Sequence, residues 1–261
     1  MAHDEAAIAL LRPDWPVPAN VRAAFTLRAG GVSRPPYDTL NLGATTGDAP
    51  ERVAENRRRL VAALALAREP AWLEQVHGTS VASLDRDAAE DPSSGGAAPR
   101  PPRADAAVTR RAGRICAIQV ADCMPVLLAA SDGSAVGAAH AGWRGLAAGV
   151  LEATVEALGL DPQRLIAWLG PAIGQRHFEV GAEVREAFLA RDAQADAAFA
   201  PNARGRWQCD LYALARRRLR SLGVGAVCGG EWCTYADAQR FFSYRRDGSC
   251  GRMAALVWLA E

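Results

Sequence analysis

The chain has 261 residues, half of them apolar, and a formal net charge of +1 from thirty basic and twenty-nine acidic side chains. That is enough to bury a large core, and the balanced charge excludes the single-sign field that draws in nucleic acid or an anionic membrane. All thirty basic residues are arginine, which also excludes Schiff-base chemistry and the phosphate-binding lysine of a Walker loop.

The start, Met1-Ala2-His3-Asp4-Glu5, lacks the basic and apolar regions of a signal peptide. No apolar run reaches the length of about 18 residues that a spanning helix needs. Cys116, Cys123, Cys209, Cys228, Cys233 and Cys250 form no CxxC pair. Cys228 and Cys233 are too loosely spaced for a ribbon-type zinc knuckle. A cytoplasmic protein with reduced thiols is expected.

Residues 23–27 read as a strand and 51–66 as a helix. Residues 85–103 are small, polar and proline-rich, with Ser93, Ser94, Gly95, Gly96, Pro99, Pro101 and Pro102. They are expected to form a mobile surface loop, either a lid near His77 or a tolerated insertion. Beyond it the pattern is α/β. Residues 115–120 read as a buried strand, interrupted at Pro125 and resumed over 126–130. Asp132-Gly133 predicts a two-residue hairpin turn into a returning strand over 135–140. Apolar spacing over 144–158 predicts one helix, closed by Gly159. Residues 165–169 form a strand ended by Gly170-Pro171. Helices follow over 180–190 and 210–222, the latter with Asp210 as N-cap and Gly223 as C-cap. Residues 253–259 close the chain as a strand.

Three segments end in a potential metal ligand: Gln75-Val76-His77-Gly78, Ala121-Asp122-Cys123-Met124-Pro125, and Ala139-His140-Ala141-Gly142-Trp143-Arg144-Gly145. Two imidazoles and a thiol suit Zn²⁺ with a fourth position left open, the mark of a catalytic site. Cys123 and His140 flank one hairpin, so their proximity follows from geometry. His77 joins them only through the fold. Cys123 reads equally as a thiolate held by a metal or by His140, or as an ordinary buried cysteine. Small residues around His140 admit other groups closely, and the helix opening after it, with Arg144, is a place for phosphate or carboxylate. The bland alternative is a tight turn with a solvated arginine. His177 reads as a rim residue and His3 as a terminal one.

Arg28-Ala29-Gly30-Gly31-Val32-Ser33 is either an anion-cradling loop or a plain turn. Phe241-Phe242-Ser243-Tyr244-Arg245-Arg246-Asp247-Gly248 offers aromatic faces for a purine and arginines for phosphate, or a core strand with a polar hairpin. Runs at 57–59 and 216–220 read as solvated helix faces.

Taken together, these segments resemble the laccase-domain family, described both as multicopper polyphenol oxidases and as purine nucleoside phosphorylases. Further matching pieces are Leu40-Asn41-Leu42-Gly43, Glu55-Asn56-Arg57, Ala104-Asp105-Ala106, Gly170-Pro171-Ala172-Ile173-Gly174, Phe178-Glu179-Val180-Gly181 and Cys233-Thr234. The resemblance spans almost the whole chain. It implies a single layered α/β domain over 1–261 with a mixed sheet, like the catalytic domain of the cytotoxic necrotizing factors. It implies a metal, usually zinc, on His77, Cys123 and His140. It also implies phosphorolysis of adenosine, inosine and methylthioadenosine, and hydrolytic deamination of adenosine. Candidate phosphate and substrate contacts are Arg28, Asn41, Arg57, Gln75, Phe242, Tyr244 and Arg245, with Cys123, Asp122 and Arg144 at the chemistry and Asp122 as a proton carrier. The partners expected are purine nucleosides and phosphate, with no nucleic acid and no membrane, and the protein is expected to be a monomer. A copper phenol oxidase is an alternative, although four histidines are far too few for multicopper clusters. A second alternative is a metal-free hydrolase or deamidase with Cys123 as nucleophile and His140 as base. A third is a non-enzymatic binding protein.

Overall fold

A computed structural model describes residues 7–85 and 100–261, so most of the expected 85–103 loop lies outside the described residues. Three sheets organise the described residues. The first has the order β1 (Leu10–Leu11), β2 (Val21–Thr26), β13 (Met253–Leu259) and β5 (Ile115–Val120), antiparallel throughout. The largest has six strands: β12 (Ala226–Gly229), β8 (Leu165–Leu169), β6 (Met124–Ala130), β7 (Val136–Ala141), β4 (Ala106–Thr109) and β3 (Val81–Ser83). Its outer pairs, β12–β8 and β3–β4, are parallel and its inner pairs antiparallel, so the sheet is mixed, as expected. A small sheet joins β10 (Phe199–Pro201), β11 (Trp207–Cys209) and β9 (Glu179–Val180).

The six-stranded sheet is buried on both faces, which is why its strands read as continuous apolar runs rather than alternating ones. Val126, Leu128 and Ala130 of β6 face α3 (Val150–Leu158), α4 (Ala182–Leu189) and α5 (Leu211–Ser221). Leu127 and Ala129 point the other way, into a core shared with Phe25, Ile118, Met253 and Val257 of the first sheet. The far side of the first sheet is covered by Leu40, Leu42 and Leu60, the last on α1 (Pro50–Ala63). Among the described residues, no helix is long and apolar enough to cross a membrane.

Several local expectations are corrected. Pro125 does not interrupt a strand but lies inside β6. Its carbonyl accepts from Gly170 N–H at 2.9 Å and β8 pairs only from Val126, so the missing N–H removes no ladder bond. The β6–β7 turn has four residues, 131–134, because the Asp132 carboxylate takes the Ser134 N–H and Ala130 N–H closes on Ala135. The helix over 144–158 is two: α2 (Trp143–Ala148) and α3, separated by Gly149 at φ 106°. Residues 179–180 belong to β9, so α4 starts later than expected. Asp210 caps α5 by accepting from Ala213 N–H at 3.0 Å, as its sequence predicts. The 241–248 segment is no strand. Ser243 caps a single helical turn, α6 (Tyr244–Asp247).

Candidate metal centre

One edge of the six-stranded sheet gathers the chemistry. The start of β6, the end of β7 and the starts of β4 and β3 all lie there, because β6/β7 and β7/β4 are antiparallel and β3/β4 parallel. Cys123 precedes β6, His140 sits near the end of β7, Asp105 precedes β4 and His77 lies in the loop before β3. The ligand atoms of His77, Cys123 and His140 lie within 4.8 Å of one another. Cys123 Sγ is 3.8 Å from His77 Nε2, and the two imidazole rings meet edge-on at 4.7 Å. Burial is graded, with His140 3% exposed, Cys123 intermediate and His77 open to solvent.

Asp105 builds this arrangement. Its fully buried carboxylate accepts from the Val76, His77 and Gly78 N–H groups at 3.1, 2.8 and 2.7 Å, and faces His140 Nδ1 at 2.9 Å. Three convergent amides hold the 76–78 loop, with His77 at φ 60°. The His140 contact places a proton on Nδ1 and leaves Nε2 as the ligating atom. Burial by itself raises the Asp105 pKa, but His140 and the loop amides outweigh it and hold the carboxyl below its usual range. Burial also pushes the Cys123 thiol up, yet His140 and His77 bring it down to about 6. His140 is disfavoured as a cation by burial, but Cys123 and Asp105 raise it to about 9. Both shifts run in the direction of a thiolate on Cys123 beside a protonated His140.

The site fits a metal on two counts. A tetrahedral zinc sharing one sulfur and one nitrogen holds them roughly 3.5 Å apart, close to the Cys123–His77 separation. Second, Gly142 leaves room: a Cβ there would stand 2.9 Å from Cys123 Sγ and 3.0 Å from His77 Cδ2.

Residues 22–260 match the family model described as multi-copper polyphenol oxidoreductase laccase. The chain belongs to this family. A Pseudomonas aeruginosa protein named purine nucleoside phosphorylase is 54% identical over 97% of this chain and 99% of its own. The Escherichia coli protein named purine nucleoside phosphorylase YfiH is 52% identical over 96% and 98%. Among solved structures, a Neisseria meningitidis protein of 47% identity has a TM-score of 0.88, covering 97% and 99% of the two chains. YlmD from Geobacillus stearothermophilus, 30% identical, has a TM-score of 0.80 over 98% and 99%.

The other family motifs form the frame around this centre. Asn41 is fully buried, its amide donating to Thr46 Oγ1 and Asp48 Oδ2 and its carbonyl accepting from Gly43 and Arg252 N–H. Asn56 Nδ2 donates to Ser33 Oγ and to the carbonyls of Thr39 and Asn41, so three motifs share one buried network. Arg57 donates twice to Leu42 O and stacks on Trp72 at 4.3 Å. Gln119 reaches the same carbonyl, and Gln75 clamps the Gln119 backbone through both amide atoms. That chain of bonds ends two residues from His77. Arg28 donates to Asp38 O and Ala238 O and lies over the buried Phe242 ring at 4.8 Å, so this ring has no open face for a purine on that side.

Asp122, at φ 86°, has both carboxylate oxygens engaged, by Thr234 O–H at 2.6 Å and Arg245 N–H at 2.7 Å. Arg144 is exposed and lies over Trp143 at 4.4 Å, while Arg245 lies over Phe178 and donates to Glu179 O. The exposed large apolar side chains among the described residues are Val76 (40%) and Tyr244 (60%), neighbours in sequence of His77 and Arg245.

Two cavities, of about 450 and 520 Å³, lie elsewhere, beside Arg57 on α1 and around Trp15 and Trp258. Their linings bring no metal-ligating cluster together, and the donor set at His77, Cys123 and His140 identifies the site better than concavity does. The residue that the sequence left without a role is Asp105. Its signals are its place in the matching piece Ala104-Asp105-Ala106 and a carboxylate set just before the strand Ala106–Thr109, which is apolar up to its last residue.

Proposed function

We propose that this protein is a zinc-dependent purine nucleoside enzyme. It phosphorolyses adenosine, inosine and methylthioadenosine, and hydrolytically deaminates adenosine. The observation that carries this reading is the His77–Cys123–His140 cluster, in a chain with relatives that align over 96% and 97% of it and bear the name purine nucleoside phosphorylase.

His77, Cys123 and His140 would hold the ion, which supplies Lewis acidity for attack on the purine. The protein's own groups do the rest. Asp105 keeps His140 Nδ1 protonated and both histidines in place. Val76 and Tyr244 provide apolar surface for a flat base. Arg144 and Arg245 have exposed guanidinium groups and orient phosphate. Bound phosphate then offsets the positive charge that develops on the sugar as the C1′–N9 bond breaks. Arg28 and Arg57 have their donors committed to main-chain carbonyls and brace the frame. Asp122, expected to carry protons, instead has both oxygens engaged and holds Thr234 and Arg245 in place.

The test is product analysis of zinc-loaded protein with adenosine, with and without phosphate. Adenine and ribose-1-phosphate appearing only with phosphate establish phosphorolysis, and inosine establishes deamination. No product from adenosine, inosine or methylthioadenosine sinks the reading.

A second reading has its own observation. Cys123, His140 and Asp105 stand in the order nucleophile, base and orienting carboxylate, as a metal-free cysteine hydrolase requires. Rapid inactivation by iodoacetamide in the presence of a zinc chelator, with activity unaffected by the chelator alone, favours it.

A further inference from the structure

The same edge of the six-stranded sheet carries a second thiol–imidazole pair. Cys233 Sγ lies 3.5 Å from His177 Nδ1, and Gly174 N–H donates to that sulfur at 3.2 Å. Tyr235 stacks on His177 with centroids 4.5 Å apart and 17° between planes. The fit around the sulfur is close, since a Cβ at residue 174 would stand 3.1 Å from it and would have to displace Cys233 by a few tenths of an ångström. All three side chains are half-buried, neither core nor solvated surface.

The pair exists because β8 and β12 are parallel neighbours, so the loops leaving their ends meet; Thr234 N–H donates to Ala172 O at 2.9 Å. The end of β8 also lies beside the start of β6, where Cys123 sits. Asp122 joins the two places. Its carbonyl accepts from Ile173 N–H, next to Gly174, and its carboxylate accepts from Thr234 O–H, next to Cys233.

The Cys233–His177 contact fits either direction, since Gly174 N–H takes one lone pair of the sulfur and leaves a second. With the thiol donating to His177 Nδ1, the imidazole N–H is on Nε2, on the side of the ring away from Cys233.

Phosphorolysis needs such a donor. A phosphate oxygen bonds to C1′ as the C1′–N9 bond breaks, and the electron pair stays on the base. The proton the base finally gains balances the one that hydrogen phosphate loses. Charge on the departing purine reaches N7 and the 6-substituent, at the far end of the nucleoside from the sugar. We infer that His177, positioned by Cys233 and Tyr235, donates from Nε2 to N7 or the 6-oxygen of the purine being released. This inference rests on the phosphorolysis proposed above and supplies the base-binding end of that site.

The experiment uses the zinc-loaded full chain and its His177→Ala, His177→Gln, Cys233→Ala, Cys233→Ser and Tyr235→Phe variants. Steady-state phosphorolysis of inosine, zinc content and equilibrium binding of hypoxanthine are measured on each. Expected for His177→Ala is a fall in kcat/KM of at least about tenfold, with weaker hypoxanthine binding and unchanged zinc. Glutamine, whose amide N–H mimics Nε2, recovers much of the loss. Cys233→Ser, whose hydroxyl still donates to Nδ1, outperforms Cys233→Ala, and Tyr235→Phe, which keeps the stack, stays near wild type. In the unmodified chain, hypoxanthine slows alkylation of Cys233 by iodoacetamide. Wild-type phosphorolysis with kcat/KM within about twofold in His177→Ala overturns the inference alone. So does an alkylation rate indifferent to hypoxanthine, whatever the variants do. A wild-type chain that neither phosphorolyses inosine nor binds hypoxanthine overturns the proposed function and this inference together.

Discussion

The Asp105 carboxylate stands 2.9 Å from His140 Nδ1 and accepts the backbone N–H of His77 at 2.8 Å, so one buried side chain sets the position of two prospective ligands. The third, Cys123, is then reached from both. Removing this carboxylate disturbs the cluster without touching a ligand. For Asp105→Asn, zinc affinity measured by chelator competition is expected to fall about 10–100-fold. An affinity equal to wild type would show that the 76–78 loop and His140 hold themselves in place.

Asp105 also ties stability to acid. Its folded pKa is depressed, so the unfolded chain binds the proton more readily. The stability it contributes is complete above the unfolded carboxylate value of about 3.9, and is lost as pH falls through the folded one. Urea unfolding of metal-free protein between pH 5 and 3 is expected to show a steeper loss in wild type than in Asp105→Asn. Parallel curves would remove Asp105 from this linkage.

Cys123 should stand apart from the other cysteines when metal is absent. Its thiol is brought down to about 6, whereas burial pushes Cys116 and Cys209 up. Alkylation of metal-free protein, followed by peptide mass spectrometry, is expected to label Cys123 with a midpoint near pH 6 and to spare the two buried thiols. That midpoint belongs to the Cys123–His140 pair as a unit. Zinc should suppress the labelling. A midpoint above pH 8 would contradict the thiolate assignment.

Gly142→Ala tests the room around the ligands. The added methyl would meet Cys123 Sγ at 2.9 Å and His77 Cδ2 at 3.0 Å, in backbone of ordinary φ (−64°). The expected result is loss of most zinc binding with the far-ultraviolet circular dichroism of the native fold. Full zinc stoichiometry would mean that the cluster relaxes at little cost.

The buried network of the family motifs gives a stability prediction with no direct part in chemistry. Asn56→Ala removes the partner of Ser33 Oγ, Val32 N–H and the Thr39 and Asn41 carbonyls. Each buried group left unsatisfied costs about 1–3 kcal/mol, so chemical denaturation should register at least about 3 kcal/mol. A change under about 1 kcal/mol would show that water replaces the amide.

Arg144→Gln and Arg245→Gln address phosphate. Charge-assisted hydrogen bonds contribute about 1.5–3 kcal/mol each, so loss of a true contact raises KM for phosphate about 10–100-fold and leaves KM for the nucleoside nearly unchanged. Equal effects on both substrates would assign the arginine to the frame rather than to phosphate.

The sequence by itself determined the donors and most of the elements. His77, Cys123 and His140 each sit in a short motif of small or turn-forming residues, and the strand runs over 115–120, 165–169 and 253–259 are where periodicity puts them. Local pattern failed where a neighbour distant in sequence decided the outcome. Pro125 is tolerated because β8 ends beside it, and the glycine that divides α2 from α3 was readable as a breaker but was masked by continuous apolar spacing. Only the tertiary structure decided that Asp105 serves His77 and His140 at once, 28 and 35 residues away, and that Cys233 meets His177 across 56. It also decided that Gln75 and Arg57 spend their hydrogen bonds on backbone, and that Asn41 divides its own between backbone and the Thr46 and Asp48 side chains. The reason is physical: a polar side chain buried at a sheet edge must find its partners, and which backbone atoms meet it there depends on strand order, which no local spacing encodes.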